Sequence, residues 1–255
     1  MMNESLRVRQ ELRVVPMTIA FRVDASSEIG TGHFMRCLAL AEELKQRGAR
    51  TCFVSRHLSG PFQKMLDRGQ HGIAHIAGAT TGEANQDLEH GHWLGTSQAR
   101  DAADTVDALS GRRWDWLVVD HYALDAFWES ILRDAAAKIL VIDDIADRKH
   151  DCDLLLDQNL HEKGAERYLE KAPSNCKILL GPRYALLREE FRSLRTQVVA
   201  RDGAVRRILV FFGGIDACNY TAQTIEAIAL LNIADLHVDA VIHLGQGRLL
   251  LQADD

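Results

Sequence analysis

Hydrophobic residues in this chain follow two alternating patterns. Short continuous apolar runs at 19–23, 51–55, 116–119 and 138–142 predict strands buried on both faces. Between them, apolar residues recur at helical spacing. Cys37, Leu40, Ala41 and Leu44 stand at i, i+3, i+4 and i+7, and Lys45, Arg47 and Gly48 mark the end of that helix. Ala99, Ala102, Ala103, Val106 and Leu109 repeat the pattern, and residues 61–68 and 124–137 also read as helices. Residues 73–76 add a short strand. Strands alternating with helices predict an α/β domain with a parallel, Rossmann-like sheet covered on both faces.

Farther along, residues 177–180 read as a strand and 186–200 as a helix rich in Arg and Glu, which Arg201-Asp202-Gly203 breaks. A strand at 208–212, the tight turn Gly213-Gly214, a helix at 219–231 and a strand at 237–243 then restart the opening plan. The expected organisation is an N-terminal extension (1–17), a Rossmann-like domain (18–202) and an incomplete, truncated second domain (203–255). A lone βαβ unit of about 50 residues leaves sheet edges and one face uncovered.

Composition narrows the class. The chain has 255 residues, of which 47% are hydrophobic and 26% charged, so it can bury a core. The net charge of −6 and the lack of a basic stripe argue against nucleic acid as a partner. Five scattered cysteines without a C-x-x-C pair suit reduced thiols in a cytoplasm. No apolar run approaches a membrane span, and the first residues lack a signal-peptide core, with Met17 a possible alternative start. A monomer without cofactor is the expectation.

The chemistry gathers at strand ends, where open parallel sheets bind ligands. Asp24, Asp120-His121-Tyr122 and Asp143-Asp144 all follow predicted strands. Gly30-Thr31-Gly32-His33 opens the first helix, where unpaired backbone N–H groups attract anions. The loop lacks a G-K-[ST] and a third glycine, so it is neither a P-loop nor a dinucleotide fingerprint. By itself it reads equally as an ordinary strand-to-helix turn or as a phosphate- or sugar-binding loop. Asp24 and Asp120 read either as partners of His33 or sugar hydroxyls, or as strand-end carboxylates capping a neighbouring helix. The Asp151-Cys152-Asp153 triplet and the His90/His92 pair hint at metal, but neither comes with a further ligand set, so no metal is expected. Cys37 reads as packing, His121 as structural, and Arg183, Tyr184 and Arg188 as either ligand contacts or an ordinary charged helix start.

Six segments carry a resemblance: F-R-V-D-A-S-S-E-I-G-T-G-H-F-M-R-C-L-A-L-A, W-L-V-V-D-H-Y, I-D-D-I-A-D-R, D-C-D-L-L-L-D-Q-N, L-G-P-R-Y-A-L-L-R-E-E-F and V-F-F-G-G-I-D-A-C-N. In this order they resemble the UDP-2,4-diacetamido-2,4,6-trideoxy-β-L-altropyranose hydrolases of pseudaminic acid biosynthesis, within the GT-B architecture of nucleotide-sugar enzymes. The resemblance implies a UDP-sugar substrate hydrolysed at its anomeric carbon. It places the catalytic histidine on His33 and site contacts on Gly32 and Tyr122. The diphosphate would lie near Gly213 and Gly214, aided by the following helix N-terminus. Two other readings stand beside this one: a GT-B glycosyltransferase with an acceptor in place of water, and a truncated chain that binds UDP weakly.

Overall fold

The apolar runs become strands, and every pairing in the main sheet is parallel. The computed structural model describes residues 16–26, 28–76, 88–200, 203–213, 216 and 218–242. β1 (Thr18–Val23), α1 (Gly32–Gln46), β2 (Arg50–Ser55), α2 (Gly60–Arg68) and β3 (Gly72–His75) form one half. After a 3₁₀ turn at Gly91–Leu94 come α3 (Gln98–Ala108), β4 (Trp114–Asp120), α4 (Ala126–Leu132), β5 (Ala136–Ile142), β6 (Leu154–Asp157) and β7 (Lys177–Leu180).

The spatial order is β3-β2-β1-β4-β5-β6-β7. The chain therefore winds outward in one direction from β1 and in the other from β4. Loops leaving the carboxyl ends of these two strands diverge to opposite sides, and the crevice they leave is where such sheets bind ligands.

Both faces of the sheet are packed. Phe34, Cys37, Leu38 and Ala41 of α1, with Leu66 of α2, cover Phe21, Phe53, Val118 and Leu140. Ala102 of α3, with Trp128 and Leu132 of α4, covers Val54, Leu117, Val119 and Ile139. Each large apolar side chain buried in this way contributes about 1.5–3 kcal/mol relative to exposure. One charged group crosses the second layer. Arg22 of β1 is fully buried and bonds Asp101 of α3 at 2.7 and 3.1 Å, while Arg56 and the Trp128 indole also reach that carboxylate. Burial opposes the charge on Asp101, but Arg22 and Arg56 still hold its carboxyl below the usual range.

Two predicted helices are about half the expected length. Residues 124–137 yield only α4, because Ala136 and Lys138 join the ladder with Trp114 and Trp116. Residues 186–200 yield only α5 (Glu189–Arg195), which buries no residue. Its Phe191 and Leu194 remain half exposed, and a helix this short gains little without packing. Beyond it, β8 (Arg207–Val210), α6 (Tyr220–Ala229) and β9 (His237–Ala240) form a separate two-stranded parallel sheet with its helix. The two strands end earlier than the expected 212 and 243. Among the described residues, no helix is long and apolar enough to cross a membrane.

Candidate functional site

The crevice between β1 and β4 holds a polar cluster built by α1. Ser26 begins the approach: its hydroxyl accepts from the backbone N–H of Ile29, and its carbonyl accepts from Gly30, which adopts φ +80°. That left-handed backbone suits glycine and turns the chain into α1. Gly32 is the first residue of α1, and a side chain there would point into open space. His33 follows and is nearly buried, with 8% exposure.

His33 points across the crevice to the end of β4. Its Nδ1 lies 2.6 Å from Oδ1 of Asp120, whose side chain is fully buried. Arg36, three residues along α1, holds the same carboxylate from the other side, with Nε at 2.6 Å from Oδ2 and Nη2 at 2.7 Å from Oδ1. Burial works against the charge on Asp120, yet His33 and Arg36 together keep its carboxyl well below the usual range. An ionised carboxylate only accepts hydrogen bonds, so its 2.6 Å contact puts the proton on Nδ1 of His33, and Nη2 of Arg36, 3.2 Å from that nitrogen, donates to Asp120 at 2.7 Å. Nε2 is then the nitrogen left with a lone pair in the neutral ring. It has no hydrogen-bond partner among the described residues.

A second carboxylate extends the network. Asp144, just past β5, accepts from Nη1 of Arg36 at 3.0 Å, from the Tyr122 hydroxyl, and from Nδ2 of Asn159 at 3.1 Å. Burial and the bond to Asp144 push the Tyr122 phenol well above its ordinary range, so it stays protonated at neutral pH. The Tyr122 ring meets His33 edge-on at 4.6 Å. Cys37 packs beneath, its Sγ 3.5 Å from Asp120, and burial together with that carboxylate raises its thiol. It is inert as a nucleophile.

Trp93 escaped the sequence reading, and His90 entered it only as half of a possible metal pair. Trp93 stacks toward Tyr122 at 5.8 Å and lies edge-on to His33 at 6.3 Å. His90 packs on Trp93 at 4.4 Å and near Tyr122 at 5.5 Å. Their signal was only an H-G-H-W cluster in a loop. His92 points elsewhere and pairs with Glu28 at 3.0 Å, tying this turn to the loop before α1. The two histidines therefore serve different partners. Among the described residues, no group of three or more His, Cys, Asp or Glu is set to hold a metal.

Other candidates fall outside the cluster. Asp24 accepts from the backbone N–H groups of Arg56 and His57 at 2.7 and 3.0 Å and pairs with Arg22, so it braces the β1–β2 layer rather than His33. His121 is buried; its Nδ1 accepts from the Ala123 N–H, and its Nε2 lies 3.3 Å from Asp24. Asp151 and Asp153 are clasped by one guanidinium, that of Arg133, at 2.7 and 2.5 Å. Arg183 and Arg188 lie over Tyr184 and Phe191. Gly213 follows β8 with φ +81°, while Gly214 lies outside the described residues. The first turn of α6 differs from the expected anion site. Asp216 accepts from the N–H groups of Tyr220 and Thr221 at 2.8 Å each, so the chain's own carboxylate occupies them.

No protein-family model matches the chain. Comparison with solved structures gives the class of fold: MurG of Acinetobacter baumannii superposes with a TM-score of 0.51 at 12% identity, covering 91% of this chain and 69% of that one. The fold is α/β of the GT-B-like type. The particular resemblance is one of sequence. The chain is 27% identical over 210 residues to the UDP-2,4-diacetamido-2,4,6-trideoxy-β-L-altropyranose hydrolase of Campylobacter jejuni, a match over 81% of this chain and 64% of that protein. It is 21% identical over 231 residues to an uncharacterised protein of Methanocaldococcus jannaschii, covering 89% of this chain and 42% of that one. The chain thus spans less than two thirds of the length of these curated relatives.

Proposed function

We propose that this chain acts on a UDP-sugar and hydrolyses it at the anomeric carbon. The substrate class is that of the Campylobacter relative, a UDP-linked 2,4-diacetamido-2,4,6-trideoxy sugar. The observation that carries the mechanism is the 2.6 Å bond from His33 to Asp120, which leaves Nε2 as an unpartnered base in the β1–β4 crevice.

Water is a weak nucleophile near neutral pH. Nε2 of His33 takes its proton as the water oxygen bonds to the anomeric carbon. The bond from that carbon to the diphosphate oxygen breaks, and its electron pair leaves with UDP. Asp120 stabilises the imidazolium and remains ionised, while Arg36 fixes the carboxylate in place. Tyr122 borders the reacting face. A base so placed contributes about 10²–10⁴ in rate.

Residues 203–255 are assigned to the nucleotide end of the substrate, with Gly213 and Gly214 nearest the diphosphate. Because Asp216 already bonds the first turn of α6, a phosphate there must compete with it. The deciding assay incubates the purified chain with the UDP-sugar and no acceptor. Release of UDP and free sugar, lost in His33→Gln, supports hydrolysis. Turnover only after a sugar or lipid acceptor is added supports a transferase and sinks the proposal.

A further inference from the structure

Trp93 is unusual in its setting. Its neighbour Leu94 is fully buried and anchors the 3₁₀ turn, and Gly91 is buried too. Trp93 itself belongs to neither core cluster and is only half-buried. A half-buried indole outside the core clusters keeps part of its apolar ring surface accessible beside His33. The turn is nevertheless held in place at both sides. His92 pairs with Glu28 of the loop before α1, and Gln98 accepts from the Asp125 backbone N–H at 3.1 Å. The result is three rings, those of Trp93, His90 and Tyr122, grouped beside His33 at the carboxyl edge of the sheet.

A hexopyranose has polar edges and an apolar face of C–H bonds. Sites for such ligands combine apolar or aromatic walls with a few placed polar groups. Both are present here. The aromatic group supplies the wall, and the exposed Asn159, held at Asp144 through its amide nitrogen, leaves its carbonyl oxygen to accept from a donor such as an acetamido N–H. We infer that Trp93, backed by Tyr122 and His90, forms the surface on which the sugar ring stacks beside His33. This deepens the nucleotide-sugar reading and rests on it for the identity of the ligand. It assigns recognition of the sugar to the seven-stranded domain, independently of how UDP is held. The wall also explains why a base would sit beside rings: the pyranose is pinned laterally, and its anomeric carbon faces Nε2.

The test uses the full chain and the free 2,4-diacetamido-2,4,6-trideoxy sugar, followed by saturation-transfer NMR, with UDP titrated separately by calorimetry. Trp93→Phe should keep the sugar signal. Trp93→Ala and Trp93→Leu should weaken sugar binding at least about fivefold, in keeping with a single aromatic contact, and leave UDP affinity unchanged. Leucine preserves apolar bulk without a ring, so the Leu–Phe pair decides the matter even if the alanine variant folds poorly. Wild-type sugar binding in Trp93→Leu, equal losses for sugar and UDP, or no sugar signal in the wild-type chain would each overturn the inference. No step of this test needs turnover. A His33→Gln variant that still releases UDP would defeat the proposed base and leave the sugar wall standing.

Discussion

His33 and Asp120 are 87 residues apart in the chain and 2.6 Å apart in the fold. Strand order brings them together, since β1 and β4 are neighbours, His33 lies in the helix that follows β1, and Asp120 ends β4. The pair sets which ring nitrogen carries the proton.

Asp120→Asn should therefore lower turnover by about 10²–10⁴ while the chain still folds. The amide nitrogen can donate to Nδ1, which would move the proton to Nε2 and remove the base. Steady-state UDP release with a matched thermal melt checks this. Activity near wild type would mean that the tautomer is irrelevant.

Arg36→Lys should also impair the reaction, by about tenfold or more in kcat. One ammonium cannot reproduce the two parallel bonds to Asp120 together with the reach to Asp144. The effect should fall on kcat more than on KM, because Arg36 acts through His33 and Tyr122. A change confined to KM would contradict that role.

The buried pair of Arg22 and Asp101 offers a test of stability alone. Arg22→Leu leaves Asp24 and Asp101 as buried carboxylates without their main cation. The expected loss is about 3–5 kcal/mol, read as a lower urea midpoint. An unchanged midpoint would show that Arg56 suffices.

His150 sets the alkaline side of the stability profile. Burial alone would lower its pKa, but Asp143 and Glu129, the latter at 2.8 Å, raise it to about 9. A folded-state pKa above the unfolded value of about 6.5 adds stability that is complete below pH 6.5. That contribution disappears as pH climbs through 9, a total of roughly 3 kcal/mol. Urea midpoints measured from pH 6 to 10 should fall across this window. In His150→Gln the slope should vanish. A flat wild-type profile would disprove the assignment.

Much of the frame was legible from residues alone. The continuous runs that became β1, β4 and β5 have few alternatives, and the spacing of Cys37 and Ala41 correctly turned α1 toward the sheet. The strand-end rule also singled out Asp120 and Asp144 as positions near a crevice. Arg36 was invisible, because a basic residue in a helix ordinarily faces water; its partners lie 84 and 108 residues away. Trp93 was hidden for the same reason, as nothing local ties a loop indole to a histidine 60 residues earlier. Helix α5 was overdrawn because periodicity in 186–200 says nothing about whether a surface exists to receive it.

One guanidinium touches both Asp120 and Asp144, and through them His33 and Tyr122. The two residues that border the proposed reaction thus share a single rigid fork. Changes at one should be felt at the other, so free energies measured for His33 and Tyr122 variants will not sum. Evolution of a new specificity in this crevice would have to move the pair as a unit.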